Sequence, residues 1–363
     1  MSTFTRFNSG DIVLSTEKVN SNAWTDSTNE LTTFFTASTE ALNYANPSSS
    51  GMFFLDIFKT AADAAAATST GSVEFSIAYG HKAGSGSTVF STGTGGAGFG
   101  ASRAIYSQYR QLVYGDENQN FTFNGTTPDD IFVINIERAR IKQGLKPASL
   151  NLQLVSGSAG TGNRIHLTDD SITTTGSATL TNLGRQFNLV SGSSGTMLGS
   201  TLAQTTSGSY GFVYPDAGII VLNPAALKCK IGSLTLPDGA GPTASIHDIT
   251  TAVAPNIHGF NNRKLYHAIS GAGSFVVDAE EKVSSQFYFS RITNQEFNYS
   301  TNPSFTKSDG VLQFDSMANN PKVFITTIGL YNDSNELLAT AKLSQPLAKD
   351  FTKEALVRIK LDY

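Results

Sequence analysis

The chain is short of the residue types on which most site chemistry depends. It has one cysteine, Cys229, in 363 residues, which excludes an intrachain disulfide framework and any multi-cysteine zinc site. Charged residues make up only 15%, and the formal net charge is −4. A net-acidic chain without a Lys/Arg cluster is poorly suited to neutralising phosphates, so direct contact with nucleic acid is not expected. No window approaches the roughly eighteen apolar residues of a membrane span. The opening residues, Met1-Ser2-Thr3-Phe4-Thr5-Arg6-Phe7, lack the apolar run of a signal peptide, so the expectation is a soluble protein assembled in a cytoplasm. No serine sits in a G-x-S-x-G elbow, no G-x-x-x-x-G-K-[ST] loop is present, and no two histidines have the i, i+4 spacing of a helical zinc motif.

What the chain does carry is β pattern, and the last forty residues show it best. Val323 to Tyr331 and Glu336 to Leu343 are apolar-rich runs joined by Asn332-Asp333-Ser334-Asn335, which reads as a hairpin with turn formers where the turn is needed. After Pro346 a polar crossing is expected. Then Leu356-Val357-Arg358-Ile359-Lys360-Leu361-Asp362-Tyr363 alternates apolar and charged residues, the signature of a strand with one buried face.

Earlier in the chain, Asp11-Ile12-Val13-Leu14 reads as an edge strand or an arm. Helical stretches are expected over Glu30 to Tyr44 and Phe53 to Ala67, the second because Leu55, Phe58, Ala62 and Ala66 recur at helical spacing. Strands are expected at Ser72 to Tyr79, Phe121 to Phe123, Ile131 to Ile136 and Leu150 to Leu154, with a helix at Ala104 to Leu112 between them. From Ser156 to about Tyr210 the composition turns to Gly, Ser and Thr, which suggests an inserted small β-unit or a loop held by a partner. Gly218 to Pro224 is a compact strand, and Pro237 to Pro255 is loop-like. The resulting expectation is a mainly β chain of two to three antiparallel β-sandwich-like domains with a few short helices. Its segments are an arm with short helices at 1–70, a β-rich domain at 71–155, a Gly/Ser/Thr-rich inserted β domain at 156–274 and a C-terminal β domain at 275–363.

Candidate chemistry is sparse. Gly93-Thr94-Gly95-Gly96-Ala97-Gly98 satisfies G-x-G-x-x-G, but the strand before it is half-polar and no second βαβ unit follows, so it reads as a surface loop. His166 with Asp169 and Asp170, or His247 with Asp248 and His258, have the residue types of a metal or general-base site, yet loop histidines beside acids are ordinarily solvated polar groups. Asp169 and Asp170 are adjacent, so on a strand they point to opposite faces and argue against a glycosidase pair. Cys229 lies in the alternating Leu227-Lys228-Cys229-Lys230-Ile231, which reads as a strand with the thiol on its apolar face. The aromatic run from Phe297 to Phe305 suits packing or a protein interface, and equally a sugar-stacking platform. No catalytic residue, cofactor or metal is assigned.

Several strings also carry a resemblance. Ala104-Ile105-Tyr106-Ser107-Gln108-Tyr109-Arg110, Asp129-Asp130-Ile131-Phe132-Val133-Ile134-Asn135, Arg291-Ile292-Thr293-Asn294-Gln295-Glu296-Phe297-Asn298-Tyr299, Ile328-Gly329-Leu330-Tyr331-Asn332 and Ala341-Lys342-Leu343-Ser344-Gln345-Pro346-Leu347 resemble virion structural proteins of contractile-tailed bacteriophages, cyanophages especially. The resemblance covers residues 70–150 and 285–363. It implies a tail or baseplate component, a baseplate wedge protein first of all, present in multiple copies in the virion, working through contacts with other tail and baseplate proteins, and without enzymatic activity. A neck or head-associated virion protein and a tail-tip receptor- or glycan-binding module are the rivals; the second requires Phe297, Tyr299 and Tyr210 to be exposed. Large permanent interfaces need apolar and aromatic area. The expected interface residues are therefore Phe297, Tyr299 and Phe305 of the aromatic run, and Leu356, Val357, Ile359, Leu361 and Tyr363 of the last strand, a candidate for β-addition to a neighbour.

Overall fold

A computed structural model describes residues 4–36, 54–67, 70–84, 101–155, 164–174, 178–198, 208–231 and 257–362. The fold is mainly β, with 47% strand, 19% helix and antiparallel sheets. The strands in chain order are β1 (Ile12–Asn22), β2 (Glu30–Leu31), β3 (Phe54–Phe58), β4 (Val73–His81), β5 (Asp130–Ile136), β6 (Gly144–Leu145), β7 (Asn151–Val155), β8 (Arg164–Asp169), β9 (Thr179–Thr181), β10 (Gly184–Ser193), β11 (Thr196–Met197), β12 (Gly211–Tyr214), β13 (Ile219–Leu222), β14 (Phe275–Val276), β15 (Asp278–Ile292), β16 (Val323–Tyr331), β17 (Leu337–Lys349) and β18 (Ala355–Asp362). The α-helices are α1 (Ala61–Ala65), α2 (Ala101–Tyr114), α3 (Ser171–Thr174), α4 (Pro224–Ile231) and α5 (Ile257–Ala272). The chain forms two compact units, Val19–Glu281 and a smaller one made of Met1–Lys18 with Lys282–Tyr363. Strands from the expected 1–70, 71–155 and 156–274 segments share one sheet in the larger unit.

That sheet follows the path β2-β14-β7-β8-β10-β12-β13-β5-β4-β3, antiparallel throughout, with β9 and β11 added to β10. Ten strands laid flat span about 43 Å. Here the sheet curls into a half-barrel. Leu31 pairs with Phe275 at one end of the path, and Phe35 exchanges two 2.8 Å hydrogen bonds with Phe58 at the other. Four residues of extended chain reach about 14 Å, so the curl brings the two ends of the path close together.

Helix α5 fills the curl, packing on β7 near one end of the path and on β4 and β3 at the other. Its Leu265, Ala268 and Ile269 join a single core with Leu152, Leu167, Leu189, Ile220, Ile134, Phe75 and Leu55. Trp24, Phe75 and Phe275 meet at ring separations of 5.0 to 6.0 Å, and the Trp24 indole N–H donates to the Phe275 carbonyl at 3.0 Å. The other face of the central strands buries Ile131, Val133, Phe212, Tyr214 and Val221 under α2, whose Ile105, Tyr106 and Val113 complete a second core. Strand β5 is thus covered on both faces, which its unbroken Ile-Phe-Val-Ile run allows.

Several local expectations are corrected. Glu30–Leu31 is a strand, and of the expected helix the part at 37–44 lies outside the described residues. Phe54–Phe58 pairs with β4, so the helical spacing of Leu55 and Phe58 is overridden by the ladder, and α1 starts only where Thr60 accepts the Asp63 N–H. Phe121 and Phe123 are buried in a turn closed by Phe123 and Thr126, with Asn124 and Gly125 at positive φ, rather than in a strand. Leu227 to Ile231 belongs to α4: Asn223 accepts the Ala225 and Ala226 N–H groups and Pro224 opens the first turn, so Cys229 is helical. The Ser156–Tyr210 stretch supplies β8 and β10 to the main sheet, because Ile165, Leu167, Leu189 and Val190 give it enough buried apolar area. Among the described residues no helix is long and apolar enough to cross a membrane.

Candidate protein interface

In the smaller unit, β15 pairs with β18 from Ser285–Asp362 to Ile292–Ala355, and β1 adds to β15 on its other side. The alternation of β18 sorts its side chains as expected: Val357, Ile359 and Leu361 turn inward and Leu356, Arg358 and Lys360 outward. Arg358 and Lys360 lie over the Phe287 ring at 5.4 and 5.9 Å, and the Ser285 hydroxyl donates to Asp362 at 2.7 Å. That hydrogen bond, and the Lys360 ammonium next, hold the Asp362 carboxyl below its ordinary range.

The hairpin β16–β17 stands as a two-stranded ribbon. Its turn is built by Asn332, whose side-chain oxygen accepts the Ser334 and Glu336 N–H groups, with Asn335 at φ +62°. β17 does not end near Leu343 and give way to a polar crossing after Pro346, as expected. It continues to Lys349, because the register jumps between Ile325–Leu347 and Thr327–Lys342 and Pro346 falls in the bulge, where no ladder N–H is required.

Between β15 and β16 runs a long loop tied down by one buried cation. Lys349 Nζ donates to the Asn294 carbonyl at 3.1 Å, Asn298 Oδ1 at 2.8 Å and the Asp350 carbonyl at 3.0 Å. The turn it fixes holds Phe297 at φ +50°, a strained conformation for a bulky residue, with the ring facing solvent. Tyr299 is exposed beside it and meets the buried Phe305 edge-on at 5.9 Å.

The unit has little interior of its own. Among its described residues only Ile292, Phe305, Val323, Leu330 and Ile359 are buried hydrophobic side chains, while fourteen large ones are exposed. Leu338 is 68% exposed, Phe324 63% and Leu356 61%. The larger unit shows the opposite balance among its described residues, with seven large ones exposed against forty-three buried. Of the expected interface residues, Phe297, Tyr299 and Leu356 face solvent, Val357 and Leu361 are half-buried, Phe305 and Ile359 are buried within the unit, and Tyr363 lies outside the described residues. Sequence reading missed the greater part of this surface: Phe324, Tyr331, Leu337, Leu338 and Phe351, and the run Ile12, Val13 and Leu14 on β1. Consecutive apolar residues in a strand, as at Leu337-Leu338 and Ile12-Val13-Leu14, must place at least one side chain on the outer face, and that was the available signal.

Asp169, Asp170 and His166 of the larger unit each bond to a neighbouring segment. Both Asp169 oxygens accept the Ala148 N–H, at 2.9 and 3.0 Å, while Asp170 accepts the backbone and side-chain N–H groups of Asn188, both at 2.9 Å. Burial raises the Asp170 pKa against the lowering effect of those bonds. His166 Nδ1 lies 3.3 Å from Asn151 Oδ1. Among the described residues no three His, Cys, Asp or Glu side chains converge as a metal site. The glycine string at 93–98, His247 and Asp248 lie outside the described residues, as do the side chains of His258 and Cys229. Tyr210 is fully buried. Compared with family models, curated proteins and solved structures, the chain matches none.

Proposed function

We propose that the chain is a structural component of a bacteriophage virion, a tail baseplate wedge protein that works through protein–protein interfaces made by its smaller unit. The observation that carries the interface part of this reading is the inverted burial of that unit, with fourteen large apolar side chains outside and five inside among its described residues. Leaving a Leu or Phe side chain in water forgoes about 2 kcal/mol each, and an excess of exposed large apolar side chains of this kind is what a protein contact would cover. The resemblance of residues 285–363 to tail proteins supports the virion setting, and the larger unit, with its own filled core, supplies a rigid carrier.

The test is to purify virions, separate tails from heads and locate the chain by mass spectrometry with a count of copies. Recovery with baseplates at a multiple of six copies is expected. Recovery with heads would move it to the neck or capsid, and absence from virions would end the reading. A tail-tip glycan-binding role has one observation in its favour, the neighbouring exposed rings of Phe297 and Tyr299, and one against, the burial of Tyr210. For that role, Phe297→Ala with Tyr299→Ala should reduce adsorption to host cells while particles still assemble.

A further inference from the structure

The two strands of the ribbon differ in how their outer edges are guarded. A free edge is a row of unpaired N–H and C=O groups that recruits a further strand unless charge, proline or a bulge blunts it. β17 has all three, in Lys342, Pro346 and the bulge beside Thr326. β16 has none. Its nine residues, Val323-Phe324-Ile325-Thr326-Thr327-Ile328-Gly329-Leu330-Tyr331, contain no charge and no proline and are rich in β-branched and aromatic side chains. Among the described residues β17 is its one ladder partner, and Phe324, Thr326, Thr327, Gly329 and Tyr331 are exposed along it.

We propose that β16 is a self-association edge: it pairs antiparallel with β16 of a second copy across a two-fold axis at Thr327, so that two ribbons become one four-stranded sheet. The inference rests on the smaller unit being an interaction surface, and not on which virion structure holds it. The strand's own order of residues selects a second copy. In this register Thr327 meets Thr327, Thr326 meets Ile328, Phe324 meets Leu330 and Val323 meets Tyr331, which are favoured cross-strand pairs. Ile325 falls opposite Gly329, where the Tyr331 ring already lies so close that a Cβ on Gly329 would stand 2.8 Å from it. No like charges face each other, and an uncharged strand offers nothing by which a differently charged partner would be selected. The bulge and Pro346 deny β17 the same pairing.

Sedimentation equilibrium of the full chain tests this. The expected mass is twice that of the chain at micromolar concentrations. Thr327→Lys sets two ammonium groups opposite each other and should weaken association about tenfold or more, whereas Thr340→Lys, on the exposed guarded strand, should leave it unchanged. Circular dichroism checks that each variant is folded. If Thr327→Lys is not, the decision passes to oxidative cross-linking in a Cys229→Ser background, where Thr327→Cys should link two copies and Thr340→Cys should not. A monomer at all concentrations, equal effects of the two lysines, or cross-linking at 340 in place of 327 would overturn the pairing. A monomer still recovered in phage tails rejects the self-pairing and leaves the proposed function standing. A dimer absent from virions does the reverse.

Discussion

Lys349 shows how a single side chain sets the display of others. Its three hydrogen bonds fix the turn that holds Phe297 outward, and the ammonium has no carboxylate partner among them. Replacing it by Met keeps the stem's volume but leaves the Asn294 and Asp350 carbonyls and the Asn298 amide oxygen without their donor, at a cost of about 3 kcal/mol. Lys349→Met is thus expected to speed hydrogen exchange at 294–298 while amides of the larger unit keep their protection. In that larger unit His81 is the residue to watch with pH. Burial pushes its imidazole below the ordinary 6.5, against the opposing pull of Asp130 and Asp129, with Lys82 acting alongside burial. Its Nδ1 accepts the Ala83 N–H at 3.1 Å, so the ring is neutral with its proton on Nε2. An unfolded histidine takes up a proton near pH 6.5. Below that pH the unfolded state therefore binds more protons than the folded one, and stability falls as pH drops toward the folded value. His81→Gln should shrink the loss of melting temperature between about pH 7.5 and about pH 5.5; an unchanged loss would assign it to other groups.

Elements whose pattern matches their burial were legible in the sequence. β18 alternates because one of its faces is covered, β5 is apolar throughout because both are, and α2 extends the expected 104–112 helix at both ends. Illegible elements are those whose neighbours decide. Phe54–Phe58 has helical spacing but becomes a strand because β4 offers it a ladder, an override of local preference that no window of a few residues contains. Helix α5 is the instructive omission. Leu265, Ala268, Ile269 and Ala272 have helical spacing, but the segment lies at the end of the expected 156–274 insert and is rich in Asn, His and Gly. Asn261, Asn262 and Lys264 are buried with it, polar groups that a sequence reading places at a surface. Because α5 touches strands toward both ends of the ten-strand path, its apolar face holds the curl together. Leu265→Ala should destabilise the larger unit by about 3 kcal/mol in a urea titration followed by Trp24 fluorescence; a cost below about 1 kcal/mol would mean that the sheet holds its curvature unaided.

At the scale of the whole molecule, fold class was readable and the grouping of segments was not. Composition and alternation establish a mainly β chain with few helices. They carry no record of which strands, far apart in sequence, will be neighbours, and so the Gly/Ser/Thr-rich stretch read as a separate insert although its β8 and β10 lie inside the main sheet. The candidate interface was half legible for a related reason. The alternating strand β18 announced itself, but its inward residues pack within the unit, and the larger exposed surface comes from positions that break the alternation.

One sheet joins β1, at residues 12–22, to β15 and β18, at 278–292 and 355–362, and most of it belongs to the smaller unit. On a ribosome, where synthesis runs at roughly 5–20 residues per second, β1 emerges first and waits some tens of seconds for its neighbours, while everything the larger unit needs has already been made. The sheet of the smaller unit can therefore be completed only after every residue of the larger unit has been made. A chain cut short by stalling before residue 278 lacks β15 and β18, and with them the whole β16–β17 ribbon.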